Sequence, residues 1–356
     1  MKKNLKLKPI KDKLFVPKIL NKEVPIECFY AHHGIIKLSE KKYSLCAVFK
    51  SEKSESNAYM SEVLDKYMLL LNNIKTPIQF YFSNQSLEKY NLYENINLQV
   101  NEDNERISYI ILTSKAESVE EAAKILYDEM KRINEIFRIK VLSIDEYINV
   151  IYHFYNPIGE VKKGFFTELF LKGIYINDLF SSGDPEFEKS YLKIGDMYLR
   201  YFYTRELPEN VEKNYITELF EQEFELSSSI HVDLLDKSKV ELVLNEKLRK
   251  MKEEMKTDEF IPYEIEQNEF LSEKENNDLE KVFNVGMYIG TMATDLDILE
   301  KRSNIILSIC KKYNSNAEVL TYQSEKSLAS IMPIGNDKVN IRRILRTTDL
   351  IKLIYI

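Results

Sequence analysis

The sequence predicts an α+β fold in two consecutive modules, each of β-α-β-β-α-β order, the second carrying a helical insertion. Three observations point there. Apolar residues alternate in short runs that are separated by longer stretches of three- and four-residue periodicity. That sequence of elements occurs once before residue 156 and again after residue 190. The 356 residues also exceed what one small core usually spans, and 44% are hydrophobic, so two cores can be filled.

In the first module, taken as residues 28–156, "GIIKLSEKKYSLCAVFK" reads as a strand hairpin. "NAYMSEVLDKYMLLLNNI" follows as an amphipathic helix, with Met60, Val63, Leu64, Tyr67, Leu70 and Leu71 on one face. Strands "PIQFYFSN" and "ISYIILT" come next, and then helix "SVEEAAKILYDEMKRINEIF", which opens on a capping box of Ser118 and Glu121. Strand "IKVL" and helix "SIDEYINVIYHFY" complete the module, with Pro157 stopping the helix.

Residues 157–190 are rich in Gly, Pro, Asn and Ser and serve as the connection. The second module, 191–356, repeats the order: strand pair "YLKIGDMYLRYFYTREL", helix "ENVEKNYITELFEQ", strand "FELSSSIHVDLL", strand "VFNVGMYIGTMAT", helix "DLDILEKRSNIILSICKKY" and strand "AEVLTYQ". Both orders are those of the split βαβ, ferredoxin-like arrangement. The insertion, about 236–280, begins as a helix with Val240, Leu244, Leu248, Met251 and Met255 on one stripe. This stripe either packs on its own module or reaches a partner subunit.

A net charge of −7 argues against a nucleic-acid binder, which needs clustered excess cations. The exception is the arm of residues 1–27, where Lys2, Lys3, Lys6, Lys8, Lys11 and Lys13 surround a single early acid, Asp12. Interleaved with Leu5, Leu7 and Ile10, these lysines suit an anionic membrane surface. Pro9 and Pro17 favour the plainer reading of a solvated leader. Three cysteines without C-x-x-C spacing indicate a reducing compartment, and no apolar run is long enough to span a bilayer. The expected location is therefore cytoplasmic.

Catalytic patterns are not found. None of the nine glycines falls in a G-x-x-x-x-G-K-[ST] phosphate loop, and Gly286 and Gly290 sit in a strand where close packing explains them. His32, His33, His153 and His231 lack metal-ligand spacing, and no nucleophile signature is present. Asp295 and Asp297 lie at a helix start and complement its dipole. Arg342, Arg343 and Arg346 form a compact basic cluster. On a helix, 342 and 346 would share a face suited to a carboxylate or phosphate; otherwise they are a solvated helix start.

Several segments in order resemble the N-terminal part of the largest secretion ATPase of type IV secretion systems, in the form carried by Gram-positive conjugative elements. They are "KYSLCAVFK" before "YMLLLNN", Asn156-Pro157, "IGDMYLRYFYTRELP", "SSSIHVDLLD", Leu299-Glu300, Tyr322-Gln323, "MPIG" and "RRILRTTDL". The family usually continues "LxPF" into its motor, whereas this chain reads "LIYI". The resemblance implies a docking and assembly domain of a conjugative DNA-transfer machine, associated with the inner face of the cell membrane. Its partners would be inner-membrane channel components and ATPase subunits, in a homo-oligomer. It implies no ATPase activity, cofactor or direct nucleic-acid binding for this chain, with ATP and Mg belonging to a motor domain beyond Ile356. Two alternatives stand beside it: a free-standing motorless scaffold or regulator of the ATPase, and an enzyme using a cleft between the modules.

Overall fold

In the computed structural model, residues 13–15, 25–49, 57–84, 107–155, 185–206, 215–235 and 281–354 are described. They form a mixed α/β fold around one large antiparallel sheet. Its strands are β1 (Lys13–Phe15), β2 (Cys28–Tyr30), β3 (Ile35–Ser39), β4 (Lys42–Phe49), β5 (Ile78–Ser83), β6 (Ile107–Lys115), β7 (Ile139–Val141), β8 (Glu186–Phe187), β9 (Leu192–Ile194), β10 (Met197–Glu206), β11 (Leu226–Leu234), β12 (Val282–Ala293), β13 (Asn316–Val319) and β14 (Arg343–Arg346). The helices are α1 (Asn57–Asn73), α2 (Val119–Ile136), α3 (Ile144–Tyr155), α4 (Tyr215–Phe220), α5 (Leu296–Lys312), α6 (Ser324–Ile331) and α7 (Thr347–Ile354).

The strand order is β1-β2-β3-β4-β6-β5-β11-β12-β10-β9-β8, with β7 on β4, β13 on β10 and β14 on β12. Within it, β7-β4-β6-β5 and β13-β10-β12-β11 have the same relative order, and every pairing in both is antiparallel. The two sets join where β5 pairs with β11, from Ile78↔Val232 to Ser83↔Ser227. The sheet therefore runs unbroken through the boundary between the halves.

Alternation along the strands divides the core into two layers. Leu45, Ala47, Phe80, Phe82, Ile110 and Leu112 face one layer, together with Tyr67 of α1, Leu126 of α2, Ile216 of α4, Ile306 of α5 and Leu350 of α7. Cys46, Val48, Tyr81, Tyr109 and Ile111 face the other, together with Tyr147 and Ile151 of α3 and Leu328 and Ile331 of α6. Both layers draw residues from both halves, so the apolar burial that stabilises each half also holds them together.

Local signals account for most helix ends. The Ser118 side chain accepts from Glu121 N, while Glu121 returns a bond to Glu117 N, one residue earlier than a strict capping box requires. Asp295 caps α5 through Asp297 N and Ile298 N, so its role is a specific cap as well as a favourable charge at the dipole. All three cysteines are free and buried. The expected helix before β11 appears among the described residues only as Tyr215–Phe220. Among the described residues, no helix is long and apolar enough to cross a membrane.

Candidate functional site

In the second core layer, buried polar side chains collect at the junction of β5, β11 and β12. Sheet alternation puts Gln79, Ser229 and His231 on the same face, and all three are at least 97% buried. Such groups are stable inside a core only when hydrogen-bonded. Their partners come from the strap of residues 330–342, which leaves α6 and crosses the junction before entering β14.

Gln79 Nε2 donates to Ser229 Oγ at 2.6 Å and to the Met332 carbonyl at 2.9 Å, and Gln79 Oε1 accepts from Gly335 N at 2.6 Å. The Ser330 carbonyl lies 3.0 Å from Ser229 Oγ and 2.7 Å from His231 Nε2. An imidazole nitrogen facing a carbonyl must donate, so Nε2 carries a proton. Burial lowers the pKa of His231 and favours the neutral ring. Tyr147 of α3 donates to the Pro333 carbonyl, and Lys42 Nζ reaches the Gly335 carbonyl at 3.0 Å. Burial lowers the Lys42 pKa as well.

Gly335 fits because it has no side chain. Its φ of +72° belongs to the left-handed region, and a Cβ there would fall inside the contact distance of Thr113 Cγ2 on β6. The "MPIG" turn thus seats directly on the first half, although it follows α6 of the second.

At the far end of the strap, Arg342 bridges two carboxylates. Its Nε donates to Asp337 at 2.8 Å and its Nη1 to Asp233 of β11 at 2.6 Å. Asp337 Oδ1 also accepts from Tyr288 OH, Ser330 Oγ and Asn340 N. Burial would raise the Asp337 pKa, but His231, once acid has protonated it, the Arg342 guanidinium and these donors outweigh it and hold the carboxyl low. A second joint lies on the opposite face, where Arg200 of "IGDMYLR" donates to Glu300 at 2.7 Å, to Ser303 and to the Ser190 carbonyl.

The expected basic cluster is therefore corrected. Residues 343–346 are a strand paired to β12 (Val282↔Arg346, Val285↔Arg343), and helix α7 begins only at Thr347. Arg342 and Arg346 do not share a helix face, because the edge of β12 beyond its pairing with β10 offers backbone bonds that this segment takes up. Arg342 is committed internally, Arg346 is 8% exposed, and Arg343 stands apart. Lys13 lies in edge strand β1 by its backbone, so the basic arm includes a sheet strand. Lys2, Lys3, Lys6, Lys8 and Lys11, the stripe of Leu244, Leu248, Met251 and Met255, and Asn156-Pro157 lie outside the described residues.

A small pocket opens over the same junction, lined by Tyr81, His153, Tyr201, Ser227 and Gly290 among others. Its volume is about 30 Å³, sufficient for a water molecule or two but far below an organic ligand. Gly290 serves close packing as expected, since a Cβ there would meet Ser227 Oγ at 2.9 Å and the Tyr201 ring at 3.2 Å. No group of three or more metal-ligating side chains occurs among the described residues.

The chain matches no protein-family model and no curated protein sequence. The site is thus read from its own geometry: a buried polar clamp that fixes a strap across two half-sheets.

Proposed function

We propose that this chain is an assembly and docking module with no chemistry of its own, of the kind its sequence motifs resemble: the N-terminal part of a conjugative type IV secretion ATPase. In this reading two ferredoxin-like units, one in each half, are fused edge to edge through β5 and β11. The repeated strand order β7-β4-β6-β5 and β13-β10-β12-β11 supports that description.

One observation carries the functional reading. The motif residues that suggested the family meet one another at structural joints. Asp233 of "SSSIHVDLLD" pairs with Arg342 of the closing motif, Ser229 of the same strand bonds the strap before "MPIG", and Arg200 of "IGDMYLR" pairs with Glu300 of the Leu-Glu dipeptide. Joints of this kind fit a rigid platform that positions partners, and the 30 Å³ pocket gives little support to an enzyme working at the junction. The partners would be inner-membrane channel proteins and ATPase subunits, with the module cytoplasmic and peripheral to the membrane.

The test is co-purification of the tagged chain with the other products of its own operon, expressed together. Capture of an inner-membrane channel component or a motor-bearing ATPase supports the proposal, and recovery of the chain alone overturns it.

A further inference from the structure

One row of side chains on the second-layer face crosses both halves. The strand registers set Ser83 of β5 opposite Ser227 of β11, Ser227 opposite Gly290 of β12, and Gly290 opposite Tyr201 of β10. Gly290 leaves its place in the row open, and its neighbours converge on it. A Cβ there would meet Ser227 Oγ at 2.9 Å and the Tyr201 ring at 3.2 Å. The two side chains nevertheless do not bond each other. Tyr201 is 6% exposed, and its hydroxyl is buried with no hydrogen-bond partner among the described residues. Ser227 Oγ donates to the Gly290 carbonyl at 3.5 Å, which is the outer limit for such a bond. A buried hydroxyl left without a partner costs free energy. The pocket of about 30 Å³ lies at this point, lined by Tyr201 and Ser227 together with Tyr81, His153, Phe154 and Glu225. It meets both conditions for holding solvent, being large enough for a water molecule and polar.

We propose that this pocket is a hydration site in which one ordered water accepts a hydrogen bond from Tyr201 Oη and donates one to Ser227 Oγ, tying β10 to β11 across Gly290. Two hydroxyls that flank one position without touching are the arrangement that a bridging oxygen completes. Neutral hydroxyls at both ends suit water over an ion. With Glu225 also in the lining, a monovalent cation is the alternative that the test separates. The lining comes from the first half through Tyr81, His153 and Phe154 and from the second through Tyr201 and Ser227, so solvent completes this joint where side chains complete the Gln79 clamp. The inference rests on the pocket and holds whether or not the chain belongs to a secretion machine.

The experiment is a high-resolution crystal structure of the whole chain, with crystals grown in sodium and, separately, in rubidium salts. The expected result in both is a water-sized peak within about 3.2 Å of Tyr201 Oη and of Ser227 Oγ. An anomalous rubidium signal overturns water in favour of a cation, and no peak, or one bonded to a single hydroxyl, overturns the bridge. Melting temperatures give an independent reading whose sign decides. Tyr201→Phe should lower the midpoint by a few degrees, and Ser227→Ala should then cost less in the Tyr201→Phe background than in the parent. A raised midpoint in Tyr201→Phe shows a dry hydroxyl whose removal relieves an unmade bond. Equal effects of Ser227→Ala in the two backgrounds show that the hydroxyls share no water, and either result ends the proposal.

Discussion

Arg342 donates through Nε to Asp337 at 2.8 Å, and only 2% of the Asp337 side chain is exposed. The second carboxylate, Asp233, holds the other end of the guanidinium and belongs to a strand more than 100 residues earlier. Removing Arg342 leaves Asp337 as a buried charge without its cation, a loss of about 3–5 kcal/mol for such pairs. Arg342→Met is expected to lower the urea midpoint accordingly, while Arg343→Met leaves it within about 0.5 kcal/mol of the parent. Equal effects of the two substitutions would show that the clamp contributes no more than an ordinary surface residue.

Gly335 gives a second test, because two independent penalties fall on one atom. Gly335→Ala must hold a left-handed φ, at about 1–2 kcal/mol, and must also push Thr113 of β6 aside. The expected cost is about 3 kcal/mol in equilibrium unfolding. Thr113→Ser removes the opposing methyl and should recover the steric part while leaving the backbone part.

Much of this architecture is legible in the sequence, and the failures have physical causes. Helical periodicity marks α1 to α3, and short apolar runs mark β4 to β6, whose two faces are buried in the two core layers. The joining of the halves is not legible, since β5 and β11 pair through backbone groups that every residue carries. The clamp does leave a signal in the sequence: "SSSIHVD" and the Gln in "PIQFYF" put polar residues where a core strand should be apolar. Polar residues at core positions call for partners, and those lie 99 to 256 residues away. Strand β14 resembles a helix start in sequence because four residues carry too little periodicity to identify either state.

Acid sensitivity follows from His231 and Asp337, whose folded pKa values are both lowered. A group with a lowered folded pKa stabilises fully above its unfolded pKa, and that stability is lost as pH falls, because the unfolded chain then binds the proton more readily. For His231 the loss begins near pH 6.5, and for Asp337 it begins near 4. Stability should therefore decline between pH 7 and 5 with a slope that His231→Gln flattens. Arg342, Lys42 and Asp337 are the charges facing the ring, so the same series in Asp337→Asn should steepen the decline, since it removes the anion that favours protonation. A flat profile in the parent protein would mean that His231 is not held neutral.

The bond between Gln79 Nε2 and Ser229 Oγ, at 2.6 Å, is a direct side-chain link between the halves. Gln79→Leu removes three hydrogen bonds, strands the Gly335 N–H and leaves the Met332 carbonyl with only its bond from Ile334 N, so a loss of about 2–4 kcal/mol is expected. Ser229→Ala removes the bonds to Gln79 and to the Ser330 carbonyl and should cost about 1–2 kcal/mol. If the two side chains act as one unit, the double variant costs less than the sum of the singles, with a coupling of about 1 kcal/mol or more in the unfolding cycle. Additivity within about 0.3 kcal/mol would assign the joint to the β5–β11 backbone pairing alone. The two outcomes also predict different unfolding. A coupled clamp makes both halves melt in one transition that the double variant shifts as a whole. An uncoupled one lets the strap loosen first, seen as early amide exchange at 330–342 while the β5–β11 amides stay protected.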